Sequence, residues 1–477
     1  MAKIKFCGAA QTVTGSNHLI ILDDGTKILF DCGLYQGNED KYEDFNRVWL
    51  YEPDEIDYMI LSHAHIDHSG RIPKLCKDGY NGDIICTSAT RDLASIMLMD
   101  SAYIQEKDVL YLNKHRERLG MKPVDPLYTT QDAKNCMDQF IGVGYNRWYR
   151  INEELSVRFR DSGHILGSAS VTLRVKMPDG YYKYIGFTGD IGRPDRPILR
   201  DPVPMDDVDY LICESTYGGK THGGMPDNKQ ELLDVIHHTC VEKKGKLIIP
   251  AFSVGRTQEI VYMLDQLEHE KRLPKIPVYV DSPLAVNATD IFTMHPECFD
   301  DQILDYMAKD PNPFGFNGLK YVRSVEQSKA INAMDGPAII ISASGMMSAG
   351  RVKHHLANTI HQPENTILVV GYCSPGTLGG RIRAGADEVR IFGEHYKVKA
   401  EVRILDSFSA HGDEGEMIAY LDNLNRHKLK KLFLVHGDVE RQEQFERALE
   451  EKGFKNVEIP HLGQSYNIPL GDNRKSN

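Results

Sequence analysis

Four potential metal ligands occur within six residues of this chain, at positions 63–68, where the sequence is HAHIDH. They directly follow a short apolar run at residues 58–61, which is typical of a β-strand. A spacing of two places His63 and His65 on the same side of an extended loop, whereas Asp67 and His68 lie past the bend and face a second point. The pattern predicts a strand-end loop that holds two adjacent metal ions.

Three further loops carry ligand residues just after an apolar strand or between glycines, and they contain His164, Asp190 and His436. A shared carboxylate such as Asp190 could bridge a pair of ions. The donors are imidazole nitrogens and carboxylate oxygens, which suit zinc first and then manganese or iron. The nine cysteines form no Cys-x-x-Cys pair, which argues against a thiolate zinc site and against a disulfide framework.

The pattern of apolar runs indicates a mixed α/β protein. A turn of hairpin chemistry at residues 23–25 predicts that the strands on either side of it are antiparallel. From about residue 214, strands and helices alternate, which favours parallel strands covered by helices. The predicted strands are 18–22, 27–30, 58–61, 184–187, 246–250, 278–280, 338–341 and 366–370, the predicted helices are 89–107 and 255–267, and a strand-loop-helix unit is predicted at 431–451.

Length and charge limit the class of protein. A chain of 477 residues exceeds one ordinary core, so we expect two domains or one domain with a large insertion. The net charge is −12, so any binding of a polyanion must rest on a local patch of basic side chains. Because no apolar run approaches the roughly 20 residues that span a bilayer, we expect a cytoplasmic protein that does not enter the membrane.

These residues carry a family resemblance. The 63–68 motif, with Asp31 after a strand and then His164 and Asp190 in that order, resembles the metallo-β-lactamase superfamily. The later segments narrow the resemblance to the β-CASP nucleases, and it covers nearly the whole chain. Within that family, the chain is similar to bacterial RNA-degrading members and to the endonuclease subunit of the pre-mRNA cleavage and polyadenylation machinery. The later segments are ESTYG at 214–218, SFSAHGD at 407–413 and LVHG at 434–437.

The resemblance implies the fold and the ligand sets. The fold is an α/β protein with a four-layered αββα metallo-β-lactamase core and an inserted α/β β-CASP domain. Residues 1–213 and 390–477 would form the core, and residues 214–389 the insertion. Asp31 would orient the ligand loops without holding a metal itself. Two zinc ions are implied, one held by His63, His65, His164 and Asp190 and the other by Asp67, His68, Asp190 and His436.

The chemistry that follows is hydrolysis of a phosphodiester. A bridged metal pair would supply hydroxide at neutral pH. Asp67 and Asp190 would be among the catalytic residues because they hold the two metals. His411 is suited to protonate the departing oxygen, and the resemblance places Glu214 behind it. We therefore predict a zinc-dependent ribonuclease that cuts single-stranded RNA and leaves a 3′-hydroxyl and a 5′-phosphate.

Substrate contacts are expected in turns of the insertion. Ser344 follows the 338–341 strand in a loop that leads to a helix bearing Arg351. Arg256 and Thr377 lie in comparable glycine-containing turns, where backbone amides and hydroxyls could receive phosphate. Ordinary turn chemistry with a solvated arginine is the alternative interpretation.

Other functions stay open at this point. A hydrolase of small thioesters or lactams would use the same metals but would not need Glu214, His411 or the insertion. A DNA nuclease of the same group would typically lack His436, and a redox diiron protein would carry Glu where His65 stands. A catalytically inactive scaffold would lack a ligand, and none is missing. The sequence leaves homodimerisation open.

Overall fold

The computed structural model describes residues 2–37, 44–221, 228–371, 373–374, 376–405 and 410–470. The chain divides into two units, the first made of Met1–Thr221 with His411–Asn477 and the second of His222–Ala410. Among the described residues, no helix combines the length and the apolar composition that crossing a membrane requires.

The described strands include every strand predicted from the sequence. They are β1 (Lys3–Phe6), β2 (His18–Ile21), β3 (Lys27–Phe30), β4 (Tyr58–Ile60), β5 (Asp83–Thr87), β6 (Phe140–Val143), β7 (Tyr149–Arg150), β8 (Leu155–Asp161), β9 (Ala169–Lys176), β10 (Tyr182–Phe187), β11 (Tyr210–Glu214), β12 (Lys246–Pro250), β13 (Val278–Val280), β14 (Leu319–Tyr321), β15 (Ala338–Ser342), β16 (Thr366–Val369), β17 (Glu388–Ile391), β18 (Glu394–Lys397), β19 (Glu401–Ile404), β20 (Lys431–Val435), β21 (Val457–Glu458) and β22 (Ser465–Asn467).

The described helices connect these strands. They are α1 (Ile66–Ser69), α2 (Ile72–Lys77), α3 (Ser88–Arg118), α4 (Thr130–Cys136), α5 (Asn228–Ile236), α6 (Arg256–His269), α7 (Pro283–Met294), α8 (Asp301–Met307), α9 (Val325–Ala333), α10 (Val352–Thr359), α11 (Leu378–Arg383), α12 (Glu414–Leu421) and α13 (Val439–Glu451). A π-helical turn (His237–Glu242) extends α5, and short 3-10 turns occupy Pro53–Glu55, Met137–Gln139 and Pro296–Cys298.

Two sheets form the centre of the first unit, with strand orders β22-β1-β2-β3-β4-β5-β6 and β21-β20-β11-β10-β9-β8-β7. Alternation along the second sheet buries both of its faces. Ile212 and Phe433 pack into the core shared with the first sheet, whereas Leu211 and Leu432 pack with residues of α12 and α13. Helix α3 packs on β5 and β6 of the first sheet. The unit is therefore layered helix, sheet, sheet, helix, as predicted.

Strand direction brings the loops of interest together. In the second sheet, β10, β11 and β20 are parallel, and β8 runs the same way because it is antiparallel to β9, which is antiparallel to β10. In the first sheet, β3, β4 and β5 are parallel, while β2 and β3 form the predicted antiparallel pair. The carboxyl ends of each parallel set therefore share one edge of their sheet.

The second unit contains a parallel six-stranded sheet in the order β14-β13-β15-β12-β16-β19, together with the β17-β18 hairpin. Ile248, Ile340 and Ile367 pack on one face with residues of α10 and α11. Leu247 and Ile339 point to the opposite face and are also buried. The predicted alternation of parallel strands and helices is confirmed.

Two boundaries differ from the prediction. Residues 390–410 were expected to begin the second part of the core, but they belong to the second unit because β19 is the edge strand of its sheet. Residues 214–221 remain with the first unit because β11 pairs with β10 and β20. Helix α3 also continues past the predicted end at residue 107 to Arg118. Most side chains of this extension are exposed, so it lacks the buried apolar face from which a helix is predicted.

The shared core of the first unit should depend strongly on Phe433, whose ring lies 5.1 Å from that of Phe6 and 5.0 Å from that of Tyr466. We expect Phe433→Ala to lower the free energy of unfolding by about 3–5 kcal/mol because it leaves a cavity between the sheets. Urea unfolding followed by tryptophan fluorescence measures this unit alone, because Trp49 and Trp148 both lie in it.

Tyr181→Ala is the control, because this side chain is 75% exposed. It should change the free energy of unfolding by less than about 0.5 kcal/mol. Equal losses in the two variants would contradict the assignment of Phe433 to the core.

Candidate metal centre

All seven predicted ligands lie in the first unit, each just beyond the carboxyl end of a strand. The 63–68 segment follows β4 and runs into α1, His164 follows β8, Asp190 follows β10, and His436 follows β20. Residues 407–409 of the predicted 407–413 segment lie outside the described residues, whereas His411 is described. The common strand direction thus gathers residues that are up to several hundred positions apart in the sequence.

The first group of converging atoms comes from three imidazoles and a carboxylate. His65 Nδ1 lies 3.2 Å from His63 Nε2 and 3.1 Å from His164 Nε2. Asp190 Oδ2 lies 3.6 Å from His63 Nε2 and 3.5 Å from His164 Nε2. A tetrahedral ion bound at about 2.0–2.1 Å requires ligand atoms about 3.3–3.4 Å apart. The four atoms therefore fit a tetrahedral zinc ion.

Burial determines the charge of these imidazoles. It lowers the pKa of His65 to about 4, and it lowers the pKa values of His63 and His164 well below the usual value. All three rings are therefore neutral near neutral pH and present lone pairs to one another. Lone pairs that converge in this way are stabilised by a cation.

The second group lies on the other side of Asp190. His68 Nε2 is 3.2 Å from His436 Nε2 and 3.3 Å from Asp190 Oδ1, and His436 Nε2 is 3.4 Å from Asp67 Oδ2. Asp190 Oδ1 is buried, and no group among the described residues donates a hydrogen bond to it. Such an orphaned carboxylate oxygen fits a bound cation. The two oxygens of Asp190 thus belong to different groups, which is the arrangement of a bridging ligand.

Asp190 carries its charge despite complete burial. Burial by itself would raise the pKa of this carboxyl, but His68, His436 and His63 hold it well below its usual range. Burial would likewise lower the pKa of His68, but Asp190 and Asp31 raise it well above its usual value. The centre favours positive charge between its carboxylates, which is the electrostatic condition for binding a divalent metal.

Hydrogen bonds that Asp31 and Ser62 accept set the orientation of two imidazole rings. Asp31 Oδ2 lies 2.6 Å from His68 Nδ1 and accepts from Ser62 Oγ at 3.0 Å. Because the Ser62 hydroxyl donates to Asp31, it accepts from His63 Nδ1, at 3.0 Å. Both rings therefore carry a proton on Nδ1, so Nε2 is the nitrogen that faces the centre and would bind a metal. Asp31 is thus in contact with His68, and its role beside a bound metal stays a prediction.

Thr216 does the same for His436, and the sequence analysis gave this residue no role. Its Oγ1 donates to the carbonyl oxygen of His436 at 3.0 Å and lies 3.0 Å from the Nδ1 of the same ring. The hydroxyl therefore accepts from Nδ1, and Nε2 is left to bind. The roles of Ser62 and Thr216 were missed. Their positions beside His63 and Glu214 were the available signal, but serine and threonine are too common for adjacency alone to assign a role.

Two glycines allow the ligand loops to approach one another. A Cβ at Gly33 would lie 1.7 Å from the carbonyl oxygen of Asp67, and one at Gly192 would lie 2.0 Å from the carbonyl oxygen of Gly163. Any larger residue would push these segments apart. The glycines thus fix how closely the Asp67 and His164 loops pack against their neighbours.

His411 lies beside the first group of atoms with its Nδ1 toward Glu214. The distance from this nitrogen is 3.4 Å to Glu214 Oε1 and 3.9 Å to Asp190 Oδ2. Burial opposes protonation, but the charge and hydrogen bond of Glu214, with Asp190 and Asp67, raise the pKa of His411 to about 9. Glu214 also accepts from the backbone nitrogen of Ile191 at 2.5 Å. One carboxylate therefore supports His411 and the Asp190 loop together.

The four predicted substrate residues lie in the second unit, and two of them are committed to ion pairs. Arg256 is buried and paired with Glu259. Arg351 Nη1 lies 2.6 Å from Asp281 Oδ1. Thr377 caps α11 by accepting from the backbone nitrogen of Gly380 at 3.0 Å, and Ser344 lies in an exposed turn. Phosphate contact by any of these residues remains a prediction.

Comparison with known families agrees with this geometry. Residues 12–215 match the metallo-β-lactamase superfamily, residues 257–382 match the β-CASP domain, and residues 395–460 match the Zn-dependent metallo-hydrolase RNA specificity domain. The first match contains six of the seven predicted ligands, and the last contains His411 and His436.

Relatives resemble the chain over nearly its whole length. Ribonuclease TTHA0252 of Thermus thermophilus is 33% identical, covering 96% of this chain and 98% of the relative. An RNase J-like protein of Methanocaldococcus jannaschii is 30% identical, with 96% and 97% covered. Transcription termination factor FttA of the same organism is 30% identical, with 91% and 67% covered.

A solved structure supports the fold. A protein of unknown function from Enterococcus faecalis superimposes with a TM-score of 0.54 at 13% identity, covering 98% of this chain and 99% of that one. Domain matches, relatives and site geometry agree, and the donor groups fit divalent metal. The chain belongs to the β-CASP ribonuclease family of the metallo-β-lactamase superfamily, whose members are metal-dependent hydrolases.

Proposed function

We propose that this metal-dependent ribonuclease binds two zinc ions and hydrolyses single-stranded RNA to leave a 3′-hydroxyl and a 5′-phosphate. The observation that carries the proposal is the division of Asp190, with Oδ2 among one group of donor atoms and Oδ1 among another. The first ion would be held by His63, His65, His164 and Asp190, and the second by Asp67, His68, Asp190 and His436.

Zinc is supported by the donor atoms and their spacing. Imidazole nitrogens and carboxylate oxygens about 3.1–3.6 Å apart suit a small tetrahedral cation. When bound, such a pair activates water at neutral pH and neutralises negative charge on a phosphate in the transition state. The protein contributes the hydrogen bonds that keep a proton on Nδ1 of His63, His68 and His436.

His411 is the residue that we assign to the leaving oxygen. Its Nδ1 proton faces Glu214, so Nε2 is the atom that would deliver a proton to the departing 3′ oxygen. The side chain is 21% exposed, whereas that of Glu214 is 1% exposed, so only the imidazole can reach substrate. Glu214 therefore acts by orienting His411 and by stabilising its positive charge.

RNA as the substrate is supported by His436 and by the relatives. His436 completes the second group of donor atoms, and DNA-processing members of the group typically lack it. Two of the relatives named above are described as ribonucleases. A small thioester or lactam substrate would leave Glu214 and His411 without a task, and it is the principal alternative.

Metal content tests the two ligand sets. The purified protein should hold about two zinc ions per chain. His164→Ala and His436→Ala should each lose about one, whereas Asp190→Ala should lose occupancy at both positions because it removes the shared carboxylate. Elemental analysis of protein supplied with zinc measures this. His395→Ala is the matched control because its imidazole is 67% exposed; fewer than one ion in the unaltered protein would contradict the paired site.

Substrate choice tests the ribonuclease. The protein with zinc should cut end-labelled single-stranded RNA faster than DNA of the same sequence, and the rate should fall as salt rises because phosphate contacts are screened. Asp190→Ala, prepared in parallel, excludes a contaminating nuclease. Equal rates on both polymers, or hydrolysis of a chromogenic lactam or a thioester only, would favour the alternatives.

Proton delivery is tested by separating it from metal binding. His411→Ala should keep its zinc but cleave about 10²–10⁴-fold more slowly, which is the usual contribution of a positioned general acid. A substrate with sulfur in place of the scissile 3′ oxygen should recover much of this loss, because it needs no proton to depart. Single-turnover rates measure both effects.

The Glu214→Gln variant should also keep its zinc and cleave more slowly, but its loss of rate should be smaller than that of His411→Ala. The double variant should be little slower than His411→Ala alone, because both residues belong to one proton-delivery unit. Loss of zinc in His411→Ala, or absence of rescue by sulfur, would contradict the assignment.

A further inference from the structure

Helix α3 carries a row of large exposed side chains that the active site does not use. Tyr103 is 54% exposed, Leu110 is 57% exposed and Tyr111 is 81% exposed. The amino-terminal half of the same helix is buried against the first sheet, but its carboxyl-terminal half from residue 103 is largely open to solvent. Large exposed apolar side chains grouped on one helix are typical of a binding surface.

Seven of the exposed residues in this half lie on one side of the helix. At about 100° per residue, they fall within a sector about 120° wide. The acidic residues of the same segment, Glu106, Asp108 and Glu117, point outside this sector. We call this surface the α3 stripe, and it consists of Tyr103, Ile104, Lys107, Leu110, Tyr111, Lys114 and Arg118, all exposed.

We propose that the α3 stripe binds the single-stranded RNA substrate outside the metal centre; this inference rests on the proposed function. Lys107 Nζ lies 5.2 Å from the centre of the Tyr103 ring, and Lys114 and Arg118 continue the positive charge along the helix. Aromatic rings alternating with cations suit a flexible polyanion whose bases stack on the rings while its phosphates meet the cations.

Charge favours RNA over a second copy of the chain. Two stripes packed face to face would bring Lys107, Lys114 and Arg118 against their own equivalents, and like charges in contact are destabilising. The whole protein has a net charge of −12, so binding of a polyanion requires a local group of cationic side chains. The α3 stripe satisfies that condition.

The first turn of α3 adjoins the metal centre. Thr87 and Thr90 both donate from Oγ1 to the carbonyl oxygen of Gly167 at 2.7 Å, in the loop that carries His164. At 1.5 Å per residue, Tyr103 lies about 20 Å farther along the helix. Stacked nucleotides advance about 3.4 Å each, so about six would span that distance. The stripe should therefore contribute to the binding of long RNA but not to that of very short RNA.

The test compares two double variants of the zinc-loaded protein on RNA of two lengths. Lys107→Ala/Tyr111→Ala removes one cation and one ring from the stripe. Lys134→Ala/Tyr181→Ala removes the same groups from exposed positions elsewhere in the first unit. With an RNA of about thirty nucleotides, the stripe variant should raise KM about 10- to 100-fold with kcat unchanged. With an RNA of about three nucleotides, both variants should match the unaltered protein.

A conservative variant separates chemistry from folding. Lys107→Arg/Tyr111→Phe keeps a cation and a ring, so it should keep the KM of the unaltered protein for long RNA. Zinc content should be the same in all three double variants. An equal rise in KM in the control, slower cleavage of the short RNA by the stripe variant, or failure of the conservative variant to restore KM would overturn the proposal.

Two further measurements separate RNA binding from self-association and from cleavage. If the stripe joined copies of the chain, the stripe variant would change the mass measured by light scattering, and that result would also overturn the proposal. Fluorescence anisotropy of labelled RNA with chelator present measures binding without cleavage. Weaker binding by the stripe variant alone would support the RNA surface even if the protein failed to cut RNA, so the two proposals fail separately.

Discussion

The structure depends on one carboxylate that has no access to water. Placing the ionised Asp190 in the interior would cost several kcal/mol without compensation, and that compensation comes first from the positive charge of His68. The rings of His63, His164 and His436 also line this carboxylate. For these rings to surround one side chain, strands from two sheets must end at the same place. The four-layered core provides this because its parallel strands share direction within each sheet.

The polar groups around the ligands make the centre specific. Each Nδ1 proton on His63, His68 and His436 is accounted for by a hydroxyl or carboxylate oxygen, and each Nε2 is directed inward. A ring that could rotate or change tautomer would bind metal less well. Glu214 extends the same principle to a residue outside the ligand sets, since it holds the backbone beside Asp190 and also the imidazole of His411.

Much of the fold and of the centre could be predicted from the sequence. Each predicted strand forms, because apolar runs followed by polar loops report a local property. The 63–68 motif needs no distant partner to be recognised, and its order with Asp31, His164 and Asp190 indicates the family without any geometry. The boundary between the two units was harder to predict. The sequence of β19 does not distinguish a strand of the second unit from a strand of the core, and only its pairing with β16 assigns it to the second unit.

The sequence by itself determined which residues carry side chains of the metal-binding type and which segments are strands, because both follow from local composition and spacing. Only the tertiary structure decided which oxygen of Asp190 faces which imidazoles, since that depends on contacts between strands far apart in the chain. It also decided that Arg256 is paired with Glu259 and buried, whereas the basic side chains of the α3 stripe are exposed. The sequence gives the number of charged side chains, but whether a cationic side chain is available to a ligand depends on its burial and on its partners.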